Sequence, residues 1–95
     1  MNVSQASKIW LEYHRAHSKH NTVRAYQFTI EKFNQDFANR NLNEVSTDDI
    51  LDFMSKFNEG RKPQTKRIRF SHLTAFFNFI GNNFDCELKN PCDSQ

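Results

Sequence analysis

The feature that most constrains the fold is a run of apolar residues with helical spacing in the first half of the chain. Its members follow one another at steps of three, four, three and four residues: Val23, Tyr26, Ile30, Phe33 and Phe37. Because an α-helix has about 3.6 residues per turn, this spacing puts all of them on one helix face. The segment predicts an amphipathic helix that begins at Asn21, a residue type that often caps helix starts.

Three further segments show the same spacing. One runs from Ser4 to His17, with Ser4 as the expected N-cap. Another follows Ser46, a hydroxyl residue suited to cap the positive end of a helix, and is expected to end at Gly60. The last begins at Pro63, which fits a first helical turn, and closes near Gly81. The sequence therefore predicts four helices.

Composition supports an all-α fold. The 95 residues include ten Phe but only two Gly and two Pro, so large side chains are available for a core and few positions interrupt regular structure. We expect one domain in the cytoplasm, because the sequence contains neither a signal-like apolar run nor a membrane-spanning one. Cys86 and Cys92 are expected to be free thiols, with a small disulfide loop as the alternative.

The net charge of +2 is unevenly distributed. Residues 31–59 carry seven acids against three bases, whereas residues 13–30 carry three bases and no acid. Residues 60–84 carry five bases and no acid, and these bases cluster at the start of the fourth helix. If the two basic segments meet on one face, they would form a positive surface for a polyanion. A solvated, mixed surface is the alternative.

No catalytic or metal site is expected. His14, His17 and His20 are spaced by three, but no carboxylate or Cys joins them at the spacing of metal ligands. The sequence lacks a nucleophile motif and a glycine-rich phosphate loop, and helix capping accounts for the paired acids Asp48 and Asp49. We therefore expect no cofactor, no metal and no catalytic residue.

Binding to a polyanion remains, and basic, hydroxyl and amide residues cluster at two helix starts. The start of helix four should extend beyond the core, where side chains and helix dipole both favour phosphate. The residues expected to contact DNA at the start of helix two are Lys19, His20, Asn21, Thr22 and Arg24. Those at the start of helix four are Lys62, Gln64, Thr65, Lys66, Arg67 and Arg69.

Four sequence motifs, in order, resemble a known family. The run NTVRAY at residues 21–26, LNEVSTDDI at 42–50, TKRIRFSHLTAFFNF at 65–79 and NP at 90–91 are similar to motifs of the SAM-like core-binding domain. That domain lies at the N-terminus of phage integrases and related tyrosine recombinases. The resemblance covers residues 4–91, and four motifs in register are far more specific than any one of them.

The resemblance implies a four-helix SAM-like orthogonal bundle that forms half of a clamp around a DNA recombination site. A separate C-terminal domain of the family cuts DNA through a tyrosine nucleophile, and its catalytic set does not map onto this sequence. Tyr13 and Tyr26 are expected in the core instead. We expect residues 1–91 to form the core-binding domain and residues 92–95 to begin a linker, so that the chain is a fragment of a longer recombinase. A stand-alone relative is the alternative.

The expected partner is double-stranded DNA, with other recombinase protomers as further partners of the full-length enzyme on DNA. The isolated domain is expected to be monomeric and independent of membranes. Arg67 and Arg69 are the candidates for contact with a guanine edge, and alanine at both Lys66 and Arg69 is expected to lower DNA affinity without loss of fold. The alternative function is a protein-interaction module that uses an exposed aromatic residue such as Phe28 or Phe79.

Overall fold

The computed structural model describes residues 1–93, and the four predicted helices are present within them. They are α1 (Val3–His17), α2 (His20–Phe37), α3 (Thr47–Phe57) and α4 (Pro63–Asn83), with a 3-10 turn at Leu42–Glu44. The described residues contain no β-strand, only an isolated bridge between Asn2 and Asn41. The all-α class predicted from spacing and composition is confirmed.

The chain divides into two compact units, and Met1–Leu42 is the first. Within it α1 packs on α2. The indole of Trp10 is buried and stacks on the Tyr26 ring at a centroid distance of 4.5 Å. The Asn34 side chain donates to the Ser7 hydroxyl at 2.8 Å. These contacts fix the face of α2 that points into the unit and therefore also the face that points outward.

The second unit begins at Asn43 and contains α3 and α4. The buried apolar side chains of these two helices are Ile50, Phe53, Met54, Leu73, Phe76, Phe77 and Ile80. After α4 the chain returns along the helix, because the Asn90 amide donates to the Thr74 carbonyl at 3.1 Å and to the Asn78 Oδ1 at 2.8 Å. The Thr47 hydroxyl, at the start of α3, donates to the Pro91 carbonyl at 3.0 Å. The second unit thus holds the returning segment at both helices.

Two predicted helix starts are wrong by one or two residues. Asn2, not Ser4, caps α1: its side chain accepts from the Gln5 N–H at 2.8 Å, and the Gln5 side chain accepts from the Asn2 N–H in return. Helix α2 begins at His20 with Lys19 at the N-cap, so Asn21 lies inside the helix. The predicted Ser46 cap of α3 and Pro63 in the first turn of α4 are confirmed.

The end of α3 also differs from the expectation. The helix ends at Phe57, and Gly60 lies in the turn that follows it. The φ angle of Gly60 is +74°, in the left-handed region that favours glycine. Gly60 therefore shapes the connection between α3 and α4 rather than the last helical turn.

The returning segment includes Cys92, the first residue of the expected linker, and the domain boundary at residue 91 stays a prediction. Cys92 is buried, its N–H donates to the Asn90 Oδ1 at 2.8 Å, and burial raises the pKa of its thiol to about 11. Cys86 is exposed, and both cysteines are free thiols. Ser94 and Gln95, in the expected linker, lie outside the described residues. Within residues 1–93, no helix is both long enough and apolar enough to cross a membrane.

Candidate DNA interface

The start of α4 presents most of its predicted contact residues to solvent. Lys62, Gln64, Lys66 and Arg67 are exposed and Thr65 is half-buried. The first fully buried side chain of the helix is Leu73, so the first two turns are more open than the rest. As expected, the basic start of α4 is exposed, while the later turns of the helix enter the core.

Arg69 differs from the other bases of α4. Its guanidinium lies 4.0 Å from the centroid of the Phe57 ring, and its Nη1 donates to the Phe57 carbonyl at 3.0 Å and to the Asn58 Oδ1 at 3.3 Å. Burial and the nearby charge of Arg61 lower its pKa from the usual value. A side chain committed to the end of α3 is a poor choice for contact with a base edge. These contacts lead us to expect that alanine at Arg69 also lowers stability; whether the fold survives the substitution of Lys66 and Arg69 stays a prediction.

A shallow apolar groove of about 550 Å³ lies between the end of α3 and the start of α4. Met54, Pro63 and Phe70 supply its apolar lining, and its charged lining residues are Glu59, Lys66 and Arg67. Because Lys66 and Arg67 stand beside an apolar surface, their hydrocarbon stems can lie along it while the charged ends reach outward. This arrangement suits contact with a phosphate at the rim of the groove.

The start of α2 presents a second group of predicted contact residues, in the first unit. Lys19, His20, Asn21 and Arg24 are exposed, and Thr22 is half-buried. Since Asn21 lies inside α2 and does not cap it, its amide is available for other contacts. That these residues and those of α4 lie on one face of the molecule stays a prediction, as does their contact with DNA.

The capping of the helices divides them into two kinds. Side-chain capping boxes at Asn2 and Ser46 satisfy the N-termini of α1 and α3. Lysines occupy the N-cap positions of α2 and α4, no side chain caps either helix, and neither has an acid in its first turn. The first backbone N–H groups of an uncapped helix have no intrahelical partner and carry partial positive charge. The starts of α2 and α4, which were predicted from sequence as contact sites, are therefore the ones whose backbone N–H groups can still donate hydrogen bonds to an anion.

The histidines do not gather into a metal site. The Nδ1 of His14 lies 2.7 Å from the Ser18 hydroxyl, and its ring packs edge-on against Tyr26 at 4.9 Å. Burial, and then the charge of His17, lower the pKa of His14 below its usual 6.5. No three His, Cys, Asp or Glu side chains within residues 1–93 are placed to hold a metal ion. The contact between His14 and Tyr26 belongs to the packing between α1 and α2.

Tyr13 was expected in the core, and this is wrong. Its side chain is 44% exposed on α1, with its ring beside His17 at a centroid distance of 4.5 Å. Tyr26 is half-buried against Trp10.

The sequence-based contact set leaves out exposed residues that continue both groups. Arg61 precedes the start of α4 and is exposed. On α2, Phe28 and Lys32 follow Arg24 at steps of four residues, and both are exposed. The signal was present in the sequence as a four-residue spacing on the polar face of the helix, but Phe28 was considered only for the alternative function, contact with another protein.

Comparison with known proteins gives one family. Residues 8–82 match the family model described as phage integrase, N-terminal SAM-like domain. The match extends from α1 to the last turn of α4 and includes both basic helix starts. No curated protein and no solved structure matches the chain.

Proposed function

Because the chain belongs to the family of phage integrase N-terminal SAM-like domains, we propose that it binds duplex DNA as the N-terminal domain of a site-specific tyrosine recombinase. It holds DNA at the recombination site, and a separate catalytic domain of the parent enzyme cuts and rejoins the strands. The chain itself contributes no catalytic residue. Other protomers of the recombinase are its partners on DNA.

The observation that carries this proposal is the pairing of lysine N-caps with uncapped helix starts. Lys19 is the N-cap residue of α2 and Lys62 is that of α4, and neither forms a side-chain capping hydrogen bond. At each start, side-chain charge and backbone N–H groups favour the same ligand, a phosphate oxygen. Side-chain caps like those of α1 and α3 would make α2 and α4 more stable, so their absence favours a role in binding.

Lys66 and Arg67 add contacts at the second of these starts. Both are exposed, and α4 itself contains no acid, although Glu59 lines the same groove. Phosphate contacts fix position and orientation on the duplex and supply affinity that falls with salt. Arg67, rather than Arg69, is the arginine of this helix available to a guanine edge, because Arg69 is held at Phe57.

A second candidate function is contact with another protein through an exposed aromatic surface. Phe84 is 54% exposed, and its ring lies 6.0 Å from that of Phe79. Such a surface would promote self-association that persists or increases as salt rises, whereas DNA binding weakens. The response to salt therefore separates the two functions.

The direct test is an NMR titration of the labelled chain with a short duplex at low and then moderate salt. We expect amide shifts at residues 19–24 and 62–69 that fade as salt is added. Arg69 should shift less than Arg67, because its side chain is committed to Phe57. Absence of duplex-dependent shifts at low salt would contradict DNA binding by this chain, and shifts confined to the region of Phe79 and Phe84 would favour the second candidate.

A further inference from the structure

The outward face of α2 carries five exposed side chains along four helical turns. With Phe28 as the reference, the other four lie within about 40° of it around the helix axis. The five are Asn21, Arg24, Phe28, Lys32 and Gln35. At about 1.5 Å per residue, this face is roughly 21 Å long. We call it the α2 outer face.

The direction of this face is fixed by the opposite side of the helix. Val23, Ile30 and Phe33 are buried, and they lie more than about 130° around the axis from Phe28. Asn34 holds the same inner side through its hydrogen bonds to the Ser7 hydroxyl and to the Ile30 carbonyl. Phe28, which is 50% exposed, cannot turn inward without displacing this packing.

On the α2 outer face, two cationic side chains flank an aromatic one. This arrangement suits a polyanion that displays apolar groups between its negative charges. Arg24 and Lys32 flank Phe28 at four residues on either side, and neither side chain forms a hydrogen bond or ion pair with another residue of the range 1–93. Among the acids of α2, Glu31 lies closest around the axis, about 60° to one side, where it accepts a hydrogen bond from Gln27 at 2.9 Å. No carboxylate of α2 therefore lies within the face.

The outer ends of the face carry amides. Asn21 lies in the first turn of α2 and Gln35 in the last, and both side chains are exposed. An Asn or Gln amide can pair with the N6 and N7 groups of adenine, and an apolar side chain such as Phe can contact the C5-methyl group of thymine. Both of these partners are displayed by A·T pairs in the major groove, which is wide enough to admit an α-helix.

We propose that the α2 outer face lies in the major groove and that Phe28 contacts thymine methyl groups there, which makes Phe28 a residue that selects A·T pairs. This inference rests on the proposed DNA binding and deepens it. The two cations beside Phe28 favour DNA over a protein as the occupant, because an apolar protein surface would leave both charges without a partner. Asn21 and Gln35 add hydrogen bonds to adenine on either side of the methyl contact.

The test compares two duplexes that differ only in methyl groups. One contains an A·T-rich segment, and the other has uracil in place of each thymine of that segment. We expect the chain to bind the thymine duplex about three- to fivefold more tightly for each methyl group that Phe28 contacts. Phe28→Ala should remove this difference and keep the salt dependence, whereas Phe28→Leu, which retains an apolar side chain, should keep most of it.

Lys32→Ala is the matched control on the same face. It should weaken binding to both duplexes equally and leave the thymine-to-uracil ratio unchanged, because a phosphate contact does not sense the methyl group. All three substitutions are at exposed positions, and one-dimensional NMR spectra of the variants check that the fold is retained.

The outcomes separate this inference from the function on which it rests. Salt-dependent binding with equal affinity for the thymine and uracil duplexes would overturn the role of Phe28 and leave DNA binding standing. A thymine preference that survives in Phe28→Ala would overturn it in the same way. Absence of salt-dependent binding to any duplex would overturn the proposed function itself. If Phe28→Ala instead abolished self-association seen in the unmodified chain, the α2 outer face would be a protein contact.

Discussion

The guanidinium of Arg69 lies 4.0 Å from the centre of the Phe57 ring and hydrogen-bonds through Nη1 to the Phe57 carbonyl. Phe57 is the last residue of α3, where backbone carbonyls lack helical partners and carry partial negative charge. Asn58, the buried C-cap of α3, receives the second hydrogen bond of the same Nη1. One cation of the basic segment thus stabilises the end of α3.

Arg69→Ala should destabilise the fold. The substitution removes a cation–π contact and two hydrogen bonds and leaves the buried Asn58 oxygen with one donor fewer, which predicts a loss of roughly 1–3 kcal/mol in the free energy of unfolding. Urea unfolding followed by circular dichroism measures this change. Arg67→Ala, two residues away and exposed, is the control and should change stability by less than about 0.5 kcal/mol. Equal stability of the two variants would contradict a structural role for Arg69.

The double substitution of Lys66 and Arg67 by alanine should lower DNA affinity without affecting stability. Each lost phosphate contact should reduce the slope of log affinity against log salt by about 0.9. Fluorescence anisotropy with a labelled duplex at several salt concentrations gives both quantities. The control is Lys56→Ala, which removes an exposed lysine that pairs with Asp52 at 3.4 Å within the acidic segment. An unchanged slope in the double variant would exclude both residues from the interface.

The helices could be predicted because apolar spacing is a property of each segment by itself. Val23 to Phe37 and Phe70 to Ile80 form stripes that only helical packing buries, and the structure buries most of them. Helix starts were less predictable, because several neighbouring side chains could each serve as the N-cap, and the local geometry decides which one accepts the backbone hydrogen bond. The reciprocal hydrogen bonds of Asn2 and Gln5 begin α1 two residues before Ser4.

The candidate site was predictable only in part. The clustering of Lys66, Arg67 and Arg69 is visible in the sequence, but the different role of Arg69 depends on Phe57, twelve residues earlier. No local pattern brings those two residues together. The outward position of Phe28 could have been inferred from its spacing with Arg24, since the predicted apolar stripe of the same helix leaves both residues on the opposite side.

Asn90→Ala should destabilise the second unit. The amide of Asn90 donates to Thr74 and Asn78, and its Oδ1 accepts from the Cys92 N–H, so one side chain holds three partners. We expect a loss of roughly 1–3 kcal/mol in the free energy of unfolding, measured by urea titration. Asn90→Asp retains the acceptor but loses the two donors and brings a carboxylate against the Asn78 Oδ1, so it should not restore stability. A fully stable Asn90→Asp variant would show that the two donated hydrogen bonds contribute little.

Lys62→Ser should raise stability and lower DNA affinity at the same time. The backbone of Lys62 already has the extended conformation of an N-cap, with φ −67° and ψ 152°, so a serine there can accept from an N–H of the first turn of α4. The new cap should add up to about 1 kcal/mol to the free energy of unfolding, while it removes one charge and occupies an N–H that phosphate would use. Thermal unfolding and duplex titration of the same preparation measure the two effects.

Ser46→Ala, which removes the existing cap of α3, is the control and should lower stability by about 1 kcal/mol with no change in DNA affinity. If Lys62→Ser gained stability and bound DNA as tightly as before, the uncapped start of α4 would have no part in binding.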